Sequence, residues 1–408
     1  FLIMAINLII LISLILIFFY NFFNKNLIQI QMLLIFIIST SIKMMFISFE
    51  FSGMFINQFT INDEITFLGH KNVKNLSPGD NFLISILYFF RNINDSEIFI
   101  KYLPIFFSFI FFYYLVKIFN NLKYKNVLKV LILIFCLTSP AYIMFNYSVT
   151  KEFLQGAFLA PSIYYSLKII DKITITRIIK LLSFLILFSY THRGFEVVSV
   201  LILLNSLSFS ILNYYDNFFK KIWFTLFLAF LIISIFLLIL LINSSIGQNL
   251  LGDEFRVYLN NIREAEHGAG NTYRISIDNS NFIKLGESFL LTIYYYFFYI
   301  QGLTTIKHFY FFVDSILSAV ILIAVFYTIL LNNFFDKKNK YKYLFITIIF
   351  LIMSFGFAIF TYNTGNAMRH KSVTNFMLYL LFPLLINFVT LLVKRPYNIF
   401  NQNNNKTT

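Results

Sequence analysis

Residues 222–243, IWFTLFLAFLIISIFLLILLIN, run directly into residues 244–286, SSIGQNLLGDEFRVYLNNIREAEHGAGNTYRISIDNSNFIKLG. The first stretch reaches the roughly 20 apolar residues that a helix needs to cross a bilayer. The second contains no such run, and it carries Asp253, Glu254, Arg256, Arg263, Glu264, Glu266, His267, Arg274 and Asp278. A charge at the centre of a spanning helix costs about 2.5–3.5 kcal/mol on insertion scales, so this segment belongs in water. Long ordered loops carry function more often than they act as spacers, and this one reads as a working loop.

The same alternation extends over the whole chain. Of 408 residues, 59% are hydrophobic and only 12% charged, against about 25% charged in an ordinary soluble domain. In lipid each backbone N–H and C=O must be satisfied within the segment, so long apolar runs read as helices. The fold class is an all-α polytopic integral membrane protein, a single domain over residues 1–408. Span-length runs lie near 1–23, 28–49, 103–119, 127–146, 152–169, 178–190, 197–213, 222–243, 311–331, 343–361 and 373–393. That makes about 11 transmembrane helices, with the termini on opposite sides. Shorter apolar pieces at 82–90 and 288–300 read as re-entrant or interfacial helices. The large outer loops cover about 50–102 and 244–310, and the polar tail from about 398 to 408 reads as disordered. No cleavable signal peptide is expected, because the first apolar run is too long; a segment preceding Phe1 is expected.

Lysine sets the orientation. The turns around Lys25, Lys117–Lys129, Lys168–Lys180, Lys220–Lys221 and Lys337–Lys342, with the tail after Lys394, share one side and hold most of the lysines. That side is cytoplasmic by the positive-inside rule, and the rule accounts for the net charge of +14 without nucleic acid as a partner. Arginine does the reverse. Only Arg177 and Arg395 fall on the lysine side, while Arg91, Arg193, Arg256, Arg263, Arg274 and Arg369 lie opposite with all five histidines. Guanidinium groups bind phosphate and carboxylate bidentately, whereas an ammonium acts as a point charge. The segregation points to an anionic, phosphorylated ligand approached from the outer side.

Four outer constellations carry candidate chemistry. Asp63 and Glu64, in FTINDEITF, sit at a water–membrane boundary where burial would raise a carboxylate toward the range of a general base; a solvated loop with a helix N-cap is the alternative reading. Lys151–Glu152 open the span after SPAYIMFNYSVTKEF and read as a neighbouring pair that neutralises itself. His192, Arg193 and Glu196 are wedged between two apolar runs in YTHRGFEV, at membrane level, where ionisable groups are costly and functional. Arg369, His370 and Lys371 follow the turn NTGNAM and place three donors at the start of the last helix, where the dipole also favours an anion. The single Cys136 rules out an intrachain disulfide and a cysteine-based metal site, and no metal or cofactor is expected. The chain carries no Walker motif, HExxH or GxSxG, which argues against an ATP-driven pump, a zinc protease and a serine hydrolase.

The acidic pair of NDEITF, the Ser-Pro turn of SPAYIMFNYSVTKEF, YTHRG and NTGNAMRHK together resemble bacterial polytopic glycosyltransferases of the GT-C superfamily, in particular Wzy-type O-antigen and capsule repeat-unit polymerases. The resemblance covers about half of the chain in order. It implies a GT-C-like enzyme of the bacterial inner membrane with its active site facing the periplasm and no cofactor. The donor would be a polyprenyl-diphosphate-linked oligosaccharide, transferred to a lipid-linked repeat unit, with a chain-length regulator as an optional partner. The resemblance implies a role for arginines of the large periplasmic loop, where Arg256, Arg263 and Arg274 fall. From the charge that develops on a departing diphosphate, Arg193, Arg369 and one or more of those three are expected to bind it, with Lys151 and His192 as further candidates for binding the diphosphate or glycan. Asp63, Glu64, Glu196 and His370 remain alternatives for the catalytic base, with Asp63 or Glu64 first. Two rivals stand beside this reading: a GT-C transferase making single additions from a polyprenyl-phosphate sugar, and a lipid-linked oligosaccharide flippase or transporter.

Overall fold

The computed structural model describes residues 27–51, 78–138, 149–192, 195–214, 306–330, 339–359 and 364–390, with isolated positions at 142 and between 287 and 297. Among them all regular structure is helical. In chain order the helices are α1 (Leu27–Phe51), α2 (Pro78–Ile93), α3 (Glu97–Asn121), α4 (Asn126–Thr138), α5 (Lys151–Asp171), α6 (Ile175–Ser189), α7 (Phe195–Tyr214), α8 (Ile306–Leu330), α9 (Lys340–Ile359) and α10 (Thr364–Leu380). A further segment, α11 (Phe382–Thr390), continues from α10 at an angle of 47°.

Four of these helices are long and apolar enough to cross a membrane, through Phe99–Asn121, Phe195–Tyr214, Phe312–Ile329 and Lys340–Ala358, and the bent pair α10–α11 makes a fifth. That is compatible with a multi-pass membrane protein and covers four or five of the eleven expected crossings. Expected spans 1–23 and 222–243, and the working loop 244–286, lie outside the described residues. The piece expected to be re-entrant or interfacial at 82–90 is part of α2.

The organising helix is α5. It packs against α2, α3, α6, α7, α9 and α10, and every residue from Glu152 to Ile163 is buried. Its sequence explains the position: Gly156, Ala157, Ala160, Ser162 and Ser166 present little side-chain bulk, so neighbouring backbones approach closely. Larger aromatics on the surrounding helices fill the rest, as where Phe107 meets Phe153 with ring centroids 5.3 Å apart. Hydroxyls and amides then tie helix to helix through backbone carbonyls. Ser39 donates to Leu137 O at 2.8 Å, Ser210 to Ile169 O at 2.7 Å, and Asn213 to Ile170 O at 3.0 Å.

Two poles emerge from the helix ends. At one, Asn121 donates to Asp171 at 2.9 Å, Lys342 pairs with Asp171 at 2.7 Å, and Asn339 donates to Leu122 O at 3.0 Å. This is the lysine-rich pole. Its α3–α4 turn is a Schellman motif, with Lys123 N–H bonded to Asn120 O and Tyr124 N–H to Phe119 O. The left-handed position falls on Lys123, at φ 54°, where glycine is the usual occupant. Tyr124 then reaches across to the α10–α11 bend, where its hydroxyl donates to Leu380 O. Pro383 lacks an N–H, and Leu384 N–H turns to Leu381 O at 2.9 Å, which frees that carbonyl from the helix ladder.

Because a side chain at φ 54° is strained, Lys123→Gly is expected to raise the thermal midpoint of the purified protein in detergent, by roughly 1 kcal/mol of stability. Lys123→Val should lower it. A scan of both variants against wild type checks the pair, and identical midpoints would show that the turn is not limiting.

Candidate functional site

The opposite pole gathers ionisable groups. Here α5, α7 and α10 begin and α6 and α9 end, so the positive ends of three helix dipoles converge. Thr150 caps α5 in an extended conformation without a side-chain capping bond. One residue into the helix, Glu152 is 1% exposed and meets Arg369 Nε from α10 at 2.5 Å. The charge of Lys151 and the side chain of Thr150 also face the Glu152 carboxylate. Neighbours in sequence on a helix point about 100° apart, so Glu152 turns into the bundle while Lys151 stays half-buried at its edge.

Beside this pair stand two imidazoles. His192, just past α6, lies with its ring centroid 6.4 Å from that of His370 on α10. His370 stacks on Phe357 of α9 at 4.3 Å and 16°, and His192 packs on Phe195 of α7 at 5.0 Å. Phe195 and Phe357 touch edge to face at 5.6 Å, so an aromatic frame fixes both rings. Gln155, one turn below Glu152, is buried with neither amide atom hydrogen-bonded among the described residues. A buried amide in that state is a costly arrangement.

A second network lies on the next face of α10. Lys371, Asn375 and Tyr379 recur at helical spacing and converge on Asp314 of α8, at 3.3, 2.7 and 3.1 Å. Lys371 also lies 5.7 Å from the Tyr296 ring centroid and donates to Phe297 O at 3.4 Å. The three consecutive donors expected at Arg369–Lys371 therefore have separate partners: Arg369 faces Glu152, His370 faces Phe357, and Lys371 faces Asp314.

Of the candidates read from sequence, the structure brings together Lys151, His192, Arg369 and His370. Glu196 lies in the first turn of α7 with its side chain exposed. Asp63, Glu64, Arg193, Arg256, Arg263 and Arg274 lie outside the described residues. Three participants were missed: Glu152 as a partner of Arg369, Gln155, and Asp314. A lone aspartate in the apolar run FFVDSIL was a usable signal for the last, since a carboxylate inside a span requires a partner. No group of three His, Cys, Asp or Glu side chains among the described residues is placed to hold a metal ion.

Removing one member of a buried ion pair leaves the other charge uncompensated, at about 3–5 kcal/mol. Glu152→Gln and Arg369→Gln should each destabilise the purified protein on that scale. The double variant should recover most of the loss, because both buried charges are gone. Additive losses in the double-mutant cycle would show that the two groups do not depend on each other.

No protein-family model, no curated protein and no solved structure matches this chain at a significant level, so the arrangement of these side chains is what a functional reading has to rest on.

Proposed function

We propose that the chain is a membrane glycosyltransferase that polymerises lipid-linked repeat units, with its site at the pole of Glu152, His192, Arg369 and His370. The observation that carries the reading is a half-buried guanidinium paired with a buried carboxylate beside two imidazoles, at the pole opposite the lysine-rich one. By the positive-inside rule the lysine-rich pole faces the cytoplasm, so this reading puts the site at the periplasmic face of a bacterial inner membrane, in a GT-C-like arrangement of spans.

The reaction breaks the bond between an anomeric carbon and a diphosphate oxygen, and it forms one to an acceptor hydroxyl, whose proton passes to a base. Negative charge grows on the departing polyprenyl diphosphate, and a preorganised guanidinium lowers the energy of that state. Arg369 takes this role, with Lys151 and His192 on the same anion and Arg193 and the loop arginines Arg256, Arg263 and Arg274 completing its enclosure. Asp63 or Glu64 is the first choice of base, with His370 and Glu196 as alternatives. Before the donor arrives, Glu152 compensates Arg369; a diphosphate then competes for the same guanidinium. Loop 244–286, outside the described residues, is on this reading the segment assigned to exclude the water that would hydrolyse the donor.

The test is surface glycan on a denaturing gel from cells lacking the gene, complemented with variants. Wild type should restore a ladder of chain lengths, and Arg369→Ala should leave a single-repeat band. The Glu152→Gln/Arg369→Gln double variant separates folding from chemistry: if it accumulates to wild-type level yet makes no ladder, the Glu152–Arg369 pair serves the reaction. A ladder made normally by that variant would remove Arg369 from the mechanism. A uniform single mass increment would point to single additions, and loss of even the one-repeat band to a flippase or an earlier step.

A further inference from the structure

The lysine-rich pole holds a cleft of about 440 Å³ where the ends of α3, α5 and α6 meet. Lys117, Tyr164, Tyr165, Lys168, Arg177 and Lys180 line it, and none of its lining side chains is a carboxylate. The nearest acid in sequence, Asp171, lies in the adjoining cleft and is committed to Lys342 and Asn121. Four cations thus share one cavity with no carboxylate among the described residues that line it.

The cations are held by contacts that leave their charge intact. Lys117 Nζ lies 4.2 Å from the Tyr113 ring centroid and 5.6 Å from those of Tyr114 and Tyr164. Lys168 and Lys180 stand 5.9 and 5.8 Å from the Tyr164 and Tyr165 centroids. Arg177 Nη1 donates to the Lys168 and Lys172 carbonyls, both at 2.7 Å, which fixes the guanidinium on the end of α5. Tyrosine rings position ammonium groups without neutralising them, so the set remains ready for an anion. The cleft also receives the start of α6, whose N-cap Thr174 makes no side-chain capping bond. The helix dipole and an uncommitted hydroxyl add to the same field.

We propose that this cleft binds a phosphate group, that of an anionic lipid headgroup. The lipid assignment follows from what adjoins the cleft. Ile175, Ile179, Leu182 and Ile186 recur along α6 at helical spacing and are exposed, forming an apolar stripe beside the face that carries Thr176 and Lys180. A phosphate in the cleft would place acyl chains along that stripe, at the membrane boundary where basic clusters attract anionic lipid. The site is separate from the Glu152–Arg369 pole and stands whether or not the glycosyltransferase reading does.

The full-length protein in detergent, titrated with phosphatidylglycerol or phosphatidylcholine and read by native mass spectrometry, tests the site. Wild type should prefer phosphatidylglycerol by on the order of tenfold, as a few basic contacts would give. Lys117→Gln/Lys168→Gln/Lys180→Gln should lose the preference, and the corresponding triple arginine variant should keep it, which guards against simple misfolding. Lys125→Gln/Lys172→Gln, which removes two exposed lysines of the same pole outside the cleft, should also keep it. A triple glutamine variant with unchanged preference, or a control that loses as much, overturns the site. Inorganic phosphate as competitor identifies the source: failure to displace the lipid supports a headgroup with seated acyl chains, and displacement at equal affinity overturns the lipid assignment in favour of a soluble phosphorylated ligand.

Discussion

A carboxylate buried inside a helix bundle needs a counter-charge, and for Glu152 that counter-charge is Arg369 at 2.5 Å. The requirement binds the first turn of α5 to the first turns of α10, helices that no short connection joins. Because α5 also packs on most of its neighbours, positions set by this one pair propagate to α3, α6, α7 and α9. The aromatic frame of Phe195, Phe357 and His370 then closes on the same spot. Buried pairs of this kind are weak sources of net stability, since desolvation offsets most of the attraction. What the pair supplies is register, along with a guanidinium held in place for an anion that can displace the carboxylate.

The two poles of the molecule use cations differently. Beside α5's start, Arg369 and Lys371 each face an acid, Glu152 and Asp314. At the other pole, Lys117, Lys168 and Lys180 rest on tyrosine rings. An arginine in a carboxylate's grip responds only to a ligand strong enough to compete with it. Lysines on aromatic faces present a standing field to whatever anion is near. The first arrangement suits a selective step and the second an anchoring one.

Much of this architecture was legible in the sequence. The apolar run at 28–49 falls within α1, those at 197–213 and 311–331 closely match α7 and α8, and the opening of α5 at Lys151–Glu152 was placed to the residue. The segregation of lysine from histidine and arginine foreshadowed the two poles. Reading Lys151 and Glu152 as a self-neutralising pair missed the inward turn of Glu152, because adjacency in sequence is not adjacency on a helix surface. Asp314 has no partner near it in sequence; Lys371, Asn375 and Tyr379 become its partners only once α8 and α10 are packed together. The Schellman turn at Lys123 was hidden because its diagnostic residue, glycine, is replaced by lysine.

The separation of Glu152 from Arg369 by 217 residues also has a meaning in time. During synthesis at about 5–20 residues per second, the carboxylate is made roughly 10–40 s before the guanidinium that will neutralise it. Over that interval α5 can pack with α3, already made, and with α6 and α7 as they emerge, but its first turn has only Lys151, Thr150 and water to hold the charge. The bundle's middle can therefore mature early, while the pole at Glu152 stays wet until the last helices arrive. Assembly of the chain ends where its chemistry is proposed to begin.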